Sequence, residues 1–187
     1  ELINAWGSGI ESFNKEEDSK LSFSYHFPAL IFAADLLRND KVWPKEEQTI
    51  FETFLSKNAL PMNTMDHKNN WGNWGLVLAS SAAAYLHDDS LLTICSDRWK
   101  YFIEYQIEID GALPHEVTRN GGRSGIWYSH FCLMPQTIAA EILKQNGFNL
   151  YDYKSPNGCT LEKAFHKIAY WTTHPGEFQY WEGPIEQ

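Results

Sequence analysis

The sequence predicts an all-α fold, built of antiparallel helical hairpins stacked as an α/α barrel or toroid, whole or in part. Three observations lead there. Apolar residues recur at three- and four-residue intervals along almost the whole chain, the spacing that gathers side chains on one helix face. Period-two alternation bounded by hairpin turns is missing from the sequence. The polar chemistry is gathered between the helical stretches. A length of 187 residues suits one domain with a substantial core, and no compositional break divides 1–187. The first residues already read as helix and the last carry no stop signal, so a fragment of a longer protein is expected.

The elements follow in order. Leu2, Ile3, Trp6 and Ile10 share a face of a first helix. Phe23, Phe27, Leu30, Ile31, Ala34 and Leu37 fit a second, over 23–37, in which Pro28 is tolerable only as a kink or near a first turn. Pro44 followed by Lys45, Glu46 and Glu47 starts a third, whose apolar stripe runs through Ile50, Phe51, Phe54 and Leu55. Asn, Met and Pro make 58–70 a loop. Helices are then predicted over 73–86, with small residues allowing close packing, over 91–109, and over 129–146 with Gly147 as its stop. A last helix covers 160–172, with Thr160 as N-cap.

The net charge of −9 argues against nucleic acid, whose phosphates demand a basic surface. It does not exclude an acidic glycan, because repulsion is screened within about 10 Å and the acidic residues cluster away from the cationic loop. Cys95, Cys132 and Cys159 are odd in number, widely spaced and without a C-x-x-C pair, so zinc and a disulfide framework are not expected. No apolar run is long enough to span a bilayer. Glycosidase, nucleotide-binding and metalloprotease signatures are missing, and nothing requires a metal or cofactor.

Two loops carry the chemistry. Asn69-Asn70-Trp71-Gly72-Asn73-Trp74 offers carboxamides that donate to a carboxylate and indole faces for sugar C–H groups. From Asp110 to His130 the chain crowds His115, Arg119, Arg123, Trp127, Tyr128 and His130 around glycines. Arginine holds carboxylates bidentately and tyrosine can carry a proton. Each residue has a structural alternative: Asn70 as a helix cap, Tyr128 as a core phenol, the arginines as surface charges, the tryptophans as core fillers. His130 reads as structural, and His26, His87, His166 and His174 as surface or satisfied core residues.

Asn69-Asn70-Trp71-Gly72-Asn73-Trp74 resembles the Asn-Asn-His-x-x-Trp motif that opens a central helix in α/α-barrel alginate lyases. Asp110-Gly-Ala-Leu-Pro-His-Glu116, with Arg119 and Tyr128-Ser-His130, is similar to their Asp-Gly-x-Leu-Pro-x-Glu…Arg…Tyr-His segment. The likeness covers most of 1–145, including the Trp-containing helix at 1–9, and related glucuronan lyases share the architecture. It implies cofactor-free β-elimination on a polyuronate, in a periplasmic or secreted setting. Tyr128 would be base, acid or both, and Asn70 and Arg119 would neutralise the uronate carboxylate. Asn69, Trp71, Asn73, Trp74 and Trp127 would bind sugar. The chain departs from the pattern at Trp71, where the family has histidine. The arginine-to-tyrosine spacing is longer, so Arg123 competes with Arg119. His115 replaces an apolar residue and is a candidate for the missing imidazole. A glycoside hydrolase using Glu116 as acid, or a carbohydrate-binding helical domain, is the alternative. Oligomeric state is left open.

Overall fold

The most extensively buried helix is the central rod of the molecule. The computed structural model describes residues 1–10 and 12–184; among them helices α1 (Leu2–Gly9), α2 (Glu17–His26), α3 (Pro28–Leu37), α4 (Lys45–Phe54), α5 (Asn70–Leu86), α6 (Asp89–Gln106), α7 (Pro114–Val117), α8 (Gly125–Gln145) and α9 (Leu161–Thr173) follow one another without a strand. Nearly all 17 residues of α5 are buried. A helix can be enclosed on every side only if its whole circumference is apolar or internally satisfied. Here Leu76, Val77, Leu78, Ala79, Ala82 and Ala83 provide the apolar part, while Ser80 and Ser81 return their hydroxyls to carbonyls of Leu76 and Val77.

α5 divides the core into two apolar masses. On one side Leu78, Ala82 and Tyr85 pack with Ile3, Phe27, Ile31, Phe51 and Phe54 from α1 to α4. On the other, Trp74 and Val77 meet Trp99, Phe102 and Ile103 of α6, Leu133 and Leu143 of α8, and Ile168 and Trp171 of α9. Cys95, Cys132 and Cys159 are free and buried in this second mass. Burial pushes the Cys95 thiol up to about 12. Among the described residues no helix is long and apolar enough to cross a membrane.

Several boundaries differ from the sequence reading, each for a local reason. The helix expected over 23–37 is two, because Pro28 has no N–H to continue the ladder and instead opens α3 at its first turn. The loop expected over 58–70 is only half loop. A π turn (Leu55–Ala59) and a 3-10 turn (Leu60–Met62) extend α4, and burial of Leu55, Ala59 and Met62 outweighs the asparagine and proline signals. α5 starts at Asn70, three residues early, because Asn69 caps it by accepting from Trp71 N–H (3.2 Å). α6 starts at Asp89, where Asp88 accepts from Leu91 N–H (2.9 Å). α8 starts at Gly125, so Tyr128 lies inside a helix rather than before it. Gly147 (φ +92°) and Thr160 behave as predicted: Phe148 N–H reaches Leu143 O (2.9 Å) and Lys163 N–H reaches Thr160 Oγ1 (3.1 Å).

Two glycines fix the frame of the later chemistry. A Cβ on Gly72 would sit 2.1 Å from the His67 carbonyl oxygen, and one on Gly125 would sit 2.2 Å from that of Val117. The first lets the 63–69 loop fold onto α5, and the second lets α7 lie against the start of α8. Gly125→Ala should therefore cost about 1–3 kcal/mol in urea unfolding, because backbone rather than a flexible side chain must yield; a variant of unchanged stability would contradict the close approach.

Candidate active site

The two loops meet at one buried carboxylate. Glu116, from α7, is 1% exposed and accepts three hydrogen bonds from Asn70, the first residue of α5. The Asn70 main-chain N–H reaches Oε1 at 2.9 Å, and its Nδ2 reaches Oε1 at 3.0 Å and Oε2 at 2.8 Å. A carboxylate suits a helix N-terminus, where unpaired N–H groups and the helix dipole favour negative charge. Burial nevertheless dominates and pushes the Glu116 carboxyl from 4.5 up to about 7, against the Asn70 hydrogen bonds and the charge of Arg119.

Arg119 leaves α7 in a 3-10 turn (Arg119–Gly122) made possible by positive φ at Asn120, Gly121 and Gly122. Its guanidinium carbon lies 4.3 Å from the centroid of the Tyr128 ring, a cation–π contact. Tyr128 is half-buried in the first turn of α8, and Trp127 beside it is 44% exposed and stacked on Phe131 (5.1 Å, 14°). Thus Asn70, Glu116, Arg119 and Tyr128 form a continuous group running from a buried carboxyl to a half-buried phenol.

The other expected residues are placed differently. Arg123 is exposed at the turn before α8, and it is Arg119 that covers Tyr128. His115 is exposed and stacks on Tyr105 of α6 (5.2 Å, 18°), whose ring centroid lies 5.3 Å from Lys68 Nζ, so its imidazole is engaged with α6. Asn73 does not reach sugar. It is fully buried and donates to Gln106 Oε1 (2.8 Å) and Cys132 Sγ (2.9 Å). Trp74 is likewise a core residue, between Tyr25 (5.6 Å) and Phe131 (5.3 Å), on a helix buried nearly all round. The Asn69 side chain is used as the cap of α5. Trp71 is half-buried beside His67 (5.5 Å). Asn70 directs its Nδ2 to Glu116, not outward as a carboxylate donor would, and its Oδ1 has no partner. His130, at the surface, pairs with Thr172 (2.9 Å).

Sequence reasoning missed Glu116 as part of this group, having weighed it only as a hydrolase acid. The signal was present in the Leu-Pro-x-Glu motif. Gln106 and Gln136 were also missed. They lie in apolar helical stripes, where a buried amide betrays a network: Gln136 Nε2 and Asn73 Nδ2 both donate to Gln106 Oε1, whose own Nε2 reaches the Asn69 carbonyl (3.3 Å). Among the described residues no group of three His, Cys, Asp or Glu is placed to hold a metal ion.

A tyrosine beneath a guanidinium, linked through a buried carboxylate to the start of the central helix, is thus set within an all-helical fold. The chain belongs to the alginate lyase family, whose model matches residues 9–178. Solved structures share the fold. Alginate lyase A1-III from Sphingomonas species A1 is 18% identical with a TM-score of 0.85 over 99% of this chain and 54% of its own. A histidine-to-alanine variant of A1-III complexed with tetrasaccharide gives the same TM-score and identity. An alginate lyase from Bacteroides ovatus is 22% identical with a TM-score of 0.64, over 86% of this chain and 44% of its own. The chain thus spans about half the length of the solved alginate lyases it matches. A search of curated proteins gives no match.

Because the folded chain holds the Glu116 proton more tightly than the unfolded chain, stability from this group is full below pH 4.5 and is lost as pH rises through about 7. The loss should amount to about 3 kcal/mol. Glu116→Gln cannot ionise, so its stability relative to the wild type should rise across that interval in urea unfolding; parallel pH dependences would refute the burial effect.

Proposed function

We propose that the chain carries the reactive site of a polysaccharide lyase that cleaves a uronate-containing glycan, alginate- or glucuronan-like, by β-elimination, in a periplasmic or secreted setting. The observation that carries this reading is the placement of Arg119 over Tyr128, beside the contact that joins both motif loops. The tetrasaccharide complex of the A1-III variant supports an oligosaccharide in this fold.

The reaction breaks the C5–H and C4–O bonds of the uronate and forms a C4=C5 double bond. The C5 proton is weakly acidic until the neighbouring carboxylate is neutralised, so cations that strengthen their hold as the enolate forms lower the barrier. Arg119 supplies that charge. Trp71 has no basic nitrogen, so no imidazole acts from its position, and Tyr128 both takes the C5 proton and returns one to the departing O4. One phenol can do both only if C5–H and C4–O lie on the same ring face. Mannuronate and glucuronate share that arrangement, and guluronate, the C5 epimer of mannuronate, does not. The exposed indole of Trp127 offers a face for a neighbouring sugar.

The hydrolase alternative is disfavoured by the burial of Glu116 and the use of both its oxygens by Asn70. A proton donor to a glycosidic oxygen must reach it.

The test is ultraviolet absorbance of the unsaturated uronate when the full chain is incubated with polymannuronate, polyguluronate and glucuronan. A rising signal on the first or third is expected; reducing ends without absorbance would establish hydrolysis, and neither would leave only binding. Tyr128→Phe should lower turnover by at least about 10² to 10⁴ with an unchanged circular dichroism spectrum, and Arg119→Ala by about 10² to 10³. Near-normal turnover by the phenylalanine variant would remove Tyr128 from the mechanism.

A further inference from the structure

The turn that carries Arg119 is poorly supported by its own bonds. Asn120, Gly121 and Gly122 all have positive φ (51°, 67° and 99°). The hydrogen bonds that close the turn are long: Gly122 N–H to Thr118 O at 3.2 Å, Ser124 N–H to Arg119 O at 3.3 Å and Arg123 N–H to Asn120 O at 3.4 Å. Such a backbone persists only where its surroundings over-determine it. Glu116 anchors the entry to the turn, and its exit is held by a segment far along the chain. We propose that residues 178–181, which follow α9, are a strap that positions Arg119 over Tyr128 by closing on the backbone at Gly122.

A Cβ on Gly122 would lie 1.9 Å from the Tyr180 carbonyl oxygen, 2.6 Å from the Tyr180 carbonyl carbon and 3.3 Å from Trp181 Cβ. The two backbones are therefore in direct contact, and only glycine fits there. A second approach lies three residues on, where a Cβ on Gly125 would meet the Phe178 ring at 2.7 Å. The strap thus touches the last residue of the Arg119 turn and the first residue of α8, the helix whose first turn bears Tyr128. It is itself anchored. Phe178 is buried, and it and Tyr180 pack edge-on against the buried Trp171 of α9 (5.1 Å at 80° and 5.8 Å at 88°) and against each other (5.4 Å). Trp181 N–H returns to Phe178 O (3.4 Å), and its indole donates to the Pro184 carbonyl (2.9 Å).

The catalytic consequence rests on the lyase reading. The Arg119 guanidinium lies 4.3 Å from the Tyr128 ring centroid, and its charge serves the enolate only if it is held there as that charge forms. Tyr180 and Trp181 are then positioning residues, which act on the reaction through the turn at Gly122. The same contacts join α9 to the site, since Trp171 seats the strap and the strap seats the arginine.

The strap can be read without substrate. In the full chain the Arg119 side-chain proton signals should be shifted upfield by the Tyr128 ring, with Tyr128→Leu as the unshifted reference. Tyr180→Ala removes the contact with Trp171 and should abolish most of that shift, whereas Tyr180→Phe, which keeps the ring, should preserve it. Trp181→Ala is read in the same way where Tyr180→Ala does not fold. A folded alanine variant with an unchanged Arg119 signal overturns the strap. In turnover, Tyr180→Ala should lower kcat about 10- to 100-fold with KM nearly constant, and Tyr180→Phe should retain kcat within a few-fold. Added to Arg119→Ala, the alanine change should cost less than about twofold, because a strap that acts through Arg119 has nothing left to position. Two losses that multiply would overturn the positioning role. Loss of the upfield shift in a chain without lyase activity would uphold the strap and defeat the lyase reading. A retained shift in an active enzyme would overturn the strap and leave the lyase reading standing.

Discussion

The site depends on three hydrogen bonds from Asn70, at the start of α5, converging on a single buried carboxylate 46 residues further along the chain. Neither loop alone would be specific. The 63–69 segment turns sharply onto a helix end, and α7 is only four residues long. Joined, they become one rigid body: Glu116 anchors α7, the turn beyond it carries Arg119, and Tyr128 follows on α8. Placing a carboxylate in an apolar interior is expensive, and the neutral form is correspondingly favoured. The hydrogen bonds from Asn70 offset part of that cost.

The rest of the architecture explains why the contact can be so well defined. α5 is enclosed by both apolar masses and α8 packs along it, so the ends of these helices are held by cores rather than by loop chemistry. The amide network of Gln106, Asn73 and Gln136 continues the polar character of the site inward between α5, α6 and α8. In a low-dielectric interior such bonds fix register, since any slip would strand several amides at once. Trp99 adds to this by donating its indole N–H to the Gln136 carbonyl (2.8 Å).

The helices were legible because their stripes follow a single period, and the convergence of the two loops was legible from the resemblance. Boundaries were less so. Pro28 was correctly seen as an obstacle, but whether it kinks or starts a helix depends on whether Phe27 can be buried at the junction. The polar run 58–70 hid a helical extension because Leu55, Ala59 and Met62 are buried by partners distant in sequence. At the site, residue type announced chemistry that burial then redistributed. Asn69, Asn73 and Trp74 have the side chains a sugar would want, yet the first caps a helix and the other two face the core. No local pattern distinguishes Asn70 from Asn73; only their position around α5 does, and that follows from a helix start set by the Asn69 cap.

The replacement at Trp71 has the widest consequence for chemistry. A histidine there would allow base and acid to be separate groups, so the proton and the leaving group could lie on opposite faces of the sugar. An indole cannot take the proton, and this one is half-buried against His67. In the proposed reaction the work then falls to one phenol, which lies beneath a guanidinium. A single oxygen serving two bonds must sit between them, on one face, and this makes the configuration at C5 the feature a substrate has to satisfy. In the proposed reaction, recognition of the uronate and the stereochemistry of its cleavage are coupled through the same pair of side chains.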